Sequence, residues 1–223
     1  MHKLTLIVLS LAAAGVANAA APRDLATSNL NTPAGHMTAL AAKTMYEARA
    51  FPIAIRVTTP DGTWAGSQWT TSAHGKATFG WVAVGHGGTS ATSPPRGVIT
   101  VVTSFGATPS VSATIARIRS EGSGATFEDP SPVTVAGYAG TRFDGNVWGI
   151  YGHTVVPFTA KTGGASPSDS WHVDKGEAFR FIVLNVRGKT VVVFLESFGL
   201  APDLFPGFAT SSARLLATLR FTA

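Results

Sequence analysis

The sequence predicts an α+β fold in which a mainly antiparallel β-sheet is flanked by helices. Residues 179–186 and 190–198 are two runs of apolar and β-branched residues, separated only by Arg187-Gly188-Lys189, and they predict a β-hairpin at the centre of a sheet. Strands of hairpin type dominate the rest of the chain, and helical patterns interrupt them without a regular βαβ alternation. This order is typical of an antiparallel sheet.

The chain begins with the three-part pattern of a secretory signal peptide over residues 1–19. His2 and Lys3 form a short polar and positive start, residues 4–16 are apolar, and Ala17-Asn18-Ala19 supplies the small residues of a cleavage site. The apolar stretch is shorter than the about 20 residues that cross a bilayer as a helix. We therefore expect cleavage after Ala19, a secreted, periplasmic or cell-envelope location, and no transmembrane span in the mature chain.

Cysteine is absent from the sequence, so the mature chain has neither a disulfide nor the cysteine that a lipoprotein anchor requires. Stability must then come from a buried core. Residues 20–45 are rich in Ala, Thr, Asn and Pro and predict a flexible leader, in which residues 37–45 favour a short helix. Residues 46–223 have the length of a single domain.

The charge balance is mildly basic, with 17 Lys and Arg against 12 Asp and Glu. The basic residues are scattered and form no run or recognised motif of a nucleic-acid-binding protein. We therefore expect no nucleic-acid partner.

The first strand is predicted at residues 51–57, where apolar side chains alternate with other residues and place one apolar face toward the core. Pro60-Asp61-Gly62 predicts a turn. Two more strands are expected at residues 77–84 and 97–105. A long polar loop, rich in Gly, Ser and Pro, is expected between them over residues 85–95.

A helix is predicted to begin after Ser110, whose hydroxyl can cap it, and to run to about Ser120. Val111, Ile115 and Ile118 share one face of this helix. Glycines at 122 and 124 end it. A strand at residues 132–135 is then expected to turn through residues 136–140 into another at 141–144.

The last element is predicted to be a helix over residues 203–220. Its apolar stripe has the width needed to lie against the sheet. The stripe consists of Phe208, Ser212, Leu215, Leu216 and Leu219.

Several segments resemble the PsbP-like superfamily, within it the exported actinobacterial branch that includes LpqN-type lipoproteins. They are Tyr46, residues 51–55, Pro60-Asp61-Gly62-Thr63-Trp64, residues 132–144 and residues 179–193. The resemblance covers roughly residues 46–221 and implies an α/β/α sandwich. It also implies an assembly or protein-binding role, because the family shares no catalytic residue. The glycine-rich loop around His86 and the missing lipid-anchor cysteine depart from the family pattern.

Catalytic motifs are missing from the sequence. It contains no G-x-S-x-G, S-x-x-K or H-E-x-x-H pattern, and Lys161-Thr162-Gly163 stands alone and is interpreted as a loop. The domain's histidines, at 74, 86, 153 and 172, lack the spacing of metal ligands. Oxygen ligands at Asp144, Asn146 and Asp174 would form a site only if the fold brings them together.

The five tryptophans are stronger candidates for a binding site than the histidines. Exposed tryptophan stacks on sugars and lipids and anchors protein interfaces. Trp64 and Trp81 are expected in the core. Candidate ligand-binding residues are Trp69, Trp148 and Trp171, which have polar surroundings typical of loops, together with Tyr151.

The function predicted from these features is that of an exported, non-catalytic binding or assembly module without a cofactor. Its partner would be an unidentified protein or a small apolar or glycan ligand. One alternative is an envelope hydrolase or metal-dependent enzyme with His86 or His153 beside Asp144. The other alternative is a structural component of the envelope.

Overall fold

A computed structural model describes residues 20–26, 37–49, 53–73, 76–86, 97–104, 110–120, 124–148, 153–155, 171–197 and 202–222. The predicted signal peptide and most of the predicted loop at 85–95 lie outside these residues. The strands of the described chain are β1 (Arg23–Asp24), β2 (Thr38–Ala39), β3 (Met45–Ala48), β4 (Ala54–Thr58), β5 (Trp64–Ala73), β6 (Lys76–His86), β7 (Gly97–Ser104), β8 (Ala125–Phe127), β9 (Ser131–Val135), β10 (Tyr138–Val147), β11 (His153–Val155), β12 (Trp171–Val173), β13 (Ala178–Val186), β14 (Lys189–Glu196) and β15 (Arg220–Thr222).

The largest sheet has nine strands. Eight of them follow the order β2-β5-β6-β7-β14-β13-β10-β8, and the ninth, β9, also pairs with β10. All of its pairings are antiparallel, which confirms the predicted fold class. The predicted hairpin forms its centre as β13 and β14. Arg187 and Gly188 turn the chain there with φ values of 53° and 78°, as a two-residue turn with positive φ at both positions requires.

A second sheet of four strands, ordered β1-β3-β4-β15, and the pairing of β2 with β5 in the large sheet correct two expectations for residues 20–45. The described part of residues 20–45 was predicted to be a flexible leader, but it contains β1 and β2. Leu25 and Leu40 are 2% and 4% exposed, and their N–H groups donate to the carbonyls of Glu47 and Trp64. The short helix expected over residues 37–45 is also wrong, because strand partners distant in sequence override alanine propensity.

Helix α1 (Val111–Ser120) confirms the predicted capped helix, since the Ser110 hydroxyl accepts from the N–H of Ala113 at 3.2 Å. Ile118 is buried against the large sheet. The helix packs over β13, beside Asn185 and Thr190.

Helix α2 (Phe205–Leu216) follows a single 3₁₀ turn, Pro202–Leu204. It lies over Arg180, Ile182 and Leu195, which alternate along their strands with the residues that face α1. The two helices therefore cover opposite faces of the large sheet. The prediction that α2 continues to residue 220 is wrong, because the chain turns at Ala217 and enters β15, which pairs with β4. The predicted apolar stripe is nevertheless buried in full, although Leu219 lies beyond the end of α2.

The α1 face of the sheet carries a cluster of phenylalanine rings. The Phe181 ring stacks on those of Phe194 and Phe143, with centroid distances of 4.5 and 5.5 Å. Phe179 and Phe127 extend the cluster edge to face, and the Arg119 guanidinium lies 5.6 Å from the centre of the Phe127 ring. Trp64, expected in the core, is 1% exposed on the other face.

Candidate functional site

A groove of about 260 Å³ runs between α2 and the sheet and is the candidate site. Its floor comes from β10, β13 and β14, and one wall comes from β9 and the turn after it. The other wall is α2. The lining residues are Val133, Thr134, Val135, Ala136, Arg142, Arg180, Ile182, Leu195, Ala209, Ala213, Leu216 and Ala217.

The groove exists because most of the side chains that α2 presents to it are small. Ala209, Ala213 and Ala217 recur at intervals of four residues, so they form one row along the helix beside its large apolar stripe. Phe208 and Leu215 fill the space under the helix, while the alanine row leaves space open toward β9. This row was the one signal in the sequence that could have located the groove.

Two arginines are the charged side chains of the lining. Arg180 is held by Asp144, to which it donates two hydrogen bonds, from Nε at 2.7 Å and from Nη2 at 2.6 Å. Both side chains are about one-fifth exposed. The hydrogen bonds to Asp144 raise the pKa of the Arg180 guanidinium above its ordinary value.

Arg142 lies on β10 two residues before Asp144 and therefore on the same face of the sheet. Its side chain is exposed at the groove. No carboxylate of the described residues forms an ion pair with it, in contrast to Arg180. Sequence reasoning counted Arg142 only among the scattered basic residues.

A cluster of three carboxyl groups lies on the face opposite the groove. Glu196 follows Leu195, a groove residue, so it points to the α1 face. Burial, together with the neighbouring carboxylates of Glu177 and Asp174, raises the pKa of Glu196 to about 8. Glu177 is buried and accepts a hydrogen bond from the Asp174 N–H at 2.8 Å.

The predicted pairing of a histidine with Asp144 is not found for His86. The His86 ring lies against Trp64 and Phe208, at centroid distances of 4.7 and 6.4 Å. Three strands separate His86 from Asp144, a distance of about 19 Å along the sheet. The His153 side chain lies outside what the structure describes.

The side-chain oxygen atoms of Asp144 and Asn146, two of the three suggested metal ligands, have other partners. Asp144 binds Arg180, and Asn146 Oδ1 accepts a hydrogen bond from Thr126 Oγ1 at 2.6 Å. Within the described ranges, no three His, Asp or Glu side chains are placed to hold a metal ion.

Of the four aromatic candidates, the structure describes one side chain. Trp148 is 65% exposed just beyond the end of β10. Trp69 and Trp171 belong to β5 and β12, so their placement in loops was wrong, and Tyr151 lies outside the described residues. Trp69 is five strands from β10 in the sheet, about 24 Å along it. A ligand-binding role for these residues stays a prediction.

The fold and the groove together define a class: an α+β protein in whose described part an antiparallel sheet carries one helix on each face, with a cleft under the second helix. In the part of the chain that the structure describes, no helix has the length and apolar character to span a bilayer.

Comparisons with known proteins assign no family. No protein-family model matches the chain, and no curated protein matches it. Among solved structures, it is similar to the crystal structure of LpqN, involved in cell envelope biogenesis of Mycobacterium tuberculosis, with 9% identity and a TM-score of 0.36 over 84% of this chain and 91% of that one. This is a weak structural relationship, and it transfers no function.

Proposed function

We propose that this protein is an exported, non-catalytic binding module that holds a small, largely apolar ligand in the groove beneath α2. The observation that carries the proposal is the groove itself, which has mostly apolar walls and two arginines beside Ile182 and Leu195 on its floor. Ligand sites are typically concave and mostly apolar, with a few polar groups that orient the ligand. The signal-peptide pattern of residues 1–19 supports a location outside the cytoplasm, at the cell envelope or beyond.

The chemistry of the described lining favours binding over catalysis. Thr134 supplies its only side-chain hydroxyl, and none of the lining residues is a histidine or a carboxylic acid. Asp144, the partner of Arg180, is engaged by that arginine through both carboxylate oxygens. A nucleophile with an adjacent base, the usual requirement for covalent catalysis, is therefore missing from this lining.

Ala213→Trp is expected to weaken binding of the neutral fluorescent probe N-phenyl-1-naphthylamine at least tenfold. Ala213 is solvent-exposed and lines the groove, so an indole at this position fills the space without displacing the core. Thr210→Trp is the matched control, because Thr210 is exposed on the same helix outside the groove. Probe fluorescence titrations measure both. Equal affinity in the wild type and in Ala213→Trp, or no binding by the wild type, would show that the groove is not the site.

A second candidate, the assembly role, is favoured by the exposure of Trp148. Trp148 and Leu204, 65% and 52% exposed, are the exposed large apolar side chains of the described chain. If Trp148 anchors a contact between copies, Trp148→Ser is expected to shift the protein to monomer in sedimentation velocity at concentrations where the wild type associates. A wild type that is monomeric throughout that range would rule out self-assembly through this residue.

A further inference from the structure

We infer that the groove takes an anionic amphiphile, with a short apolar body between α2 and the sheet and a single anionic head at Arg142. This inference rests on the proposed binding function and names the chemical class of its ligand. It is carried by a largely apolar cleft that contains two arginines: Arg180, which is paired with Asp144, and Arg142, which has no carboxylate partner among the described residues.

The difference between the two arginines determines where the anionic head of the ligand binds. Arg180 forms a bidentate pair with Asp144, and Glu128 adds a second negative charge near it. An anion at that end would meet two carboxylates. Arg142 lines the same groove, and no described carboxylate is paired with it, so its guanidinium offers the free donors that bind a carboxylate or phosphate head.

The volume of the groove limits the apolar body. About 260 Å³ lies just below the range of roughly 300–1,000 Å³ for drug-sized ligand sites. Val133, Ile182 and Leu216 present hydrocarbon to this space. A short alkyl or aryl group fits such a space, whereas a long chain would extend into solvent.

Three octyl compounds that share one tail separate the role of the head from that of the body: octanoate, octan-1-ol and octylammonium. We expect wild-type protein to bind octanoate about tenfold more tightly than octan-1-ol, and octylammonium most weakly, in calorimetric or NMR titrations at constant ionic strength. Arg142→Gln is expected to abolish the preference for octanoate, and Arg142→Lys to keep part of it, because lysine retains the charge but not the planar fork.

Arg23→Gln is the matched control, since it removes one positive charge from an exposed arginine outside the groove. It is expected to leave the octanoate affinity unchanged. Asp144→Asn should raise the affinity for octanoate but not for octan-1-ol, because it removes the negative charge next to Arg180. Circular dichroism spectra of each variant show whether it is folded before it is titrated.

The outcomes distinguish this inference from the proposed function. Equal binding of octanoate and octan-1-ol, or octanoate binding that Arg142→Gln does not weaken, overturns the anionic ligand. The groove remains the binding site in either case if Ala213→Trp blocks the probe. If the protein binds N-phenyl-1-naphthylamine but none of the octyl compounds, the anionic amphiphile is overturned as the ligand and the proposed binding function stands. If the protein binds none of these compounds, both the ligand class and the proposed binding function are overturned.

Discussion

Phe181→Ala is expected to lower the free energy of unfolding by about 3–5 kcal/mol, the usual cost of removing a fully buried phenylalanine ring. The Phe181 ring is completely buried and stacks on two other rings, so the surrounding strands have little freedom to close the cavity. Because the chain has no disulfide, no covalent cross-link offsets this loss. Urea denaturation followed by tryptophan fluorescence measures it.

Leu204→Ala is the control for this experiment, because Leu204 is a large apolar residue that is mostly exposed. We expect it to change stability by less than about 0.5 kcal/mol. A Phe181→Ala protein as stable as the wild type would show that the phenylalanine cluster is not the packed centre of the domain.

Glu196→Gln is expected to stabilise the protein at pH 8 and to flatten its stability between pH 5 and pH 8. In the folded wild type, burial and the carboxylates of Glu177 and Asp174 raise the pKa of Glu196 to about 8, against 4.5 as the ordinary value. The folded state therefore keeps a proton that the unfolded chain loses in this range. The contribution of Glu196 is therefore expected to lower the free energy of unfolding of the wild type as pH rises from about 4.5 to about 8, by on the order of 3 kcal/mol in total.

Glu47 makes the free energy of unfolding depend on pH in the opposite direction, and at lower pH. Hydrogen bonds from Arg49 and Arg56 lower the pKa of the Glu47 carboxyl, so its stabilising effect is complete above the ordinary carboxyl range and is lost as pH falls below it. The interval from pH 5 to pH 8 therefore separates the effect of Glu196 from that of Glu47.

Glu177→Gln provides an intermediate case, because it removes one of the two neighbouring charges and keeps an oxygen that can accept the Asp174 N–H. It is expected to reduce the slope of stability against pH without abolishing it. Urea denaturation at pH 5, 6, 7 and 8 gives the slopes. A wild type whose stability is constant or rises over this range, or a Glu196→Gln protein with the wild-type slope, contradicts the assignment.

Elements defined by neighbouring residues were predicted well. The hairpin of β13 and β14, the β9–β10 hairpin and the capped helix α1 all depend on short turns, on a side-chain cap or on the local period of apolar residues. Strand β5 was missed because Gly66, Ser67, Thr70 and Thr71 give it no apolar alternation. Its position is set by pairing with β6 on one side and β2 on the other.

The groove, too, could be predicted from the sequence only in part. The apolar stripe of α2 was recognised, and the alanine row beside it was visible in the sequence. Arg142 could not be distinguished from other arginines, because its importance depends on which side chains lie near it. Trp148 was selected among the aromatic candidates, and its exposure agrees with an interaction role without establishing one.

By itself, the sequence determined the fold class, the lack of disulfides, the central hairpin and the two amphipathic helices, since composition and short-range periodicity decide these features. Tertiary structure alone decided that the N–H groups of Leu25 and Leu40 bond to Glu47 and Trp64, that β15 follows α2 and pairs with β4, and that Asp144 pairs with Arg180 while no described carboxylate pairs with Arg142. Each of these depends on partners distant in sequence. Strand pairing and ion pairing over such distances follow from how the whole sheet is ordered, which no local pattern of residues encodes.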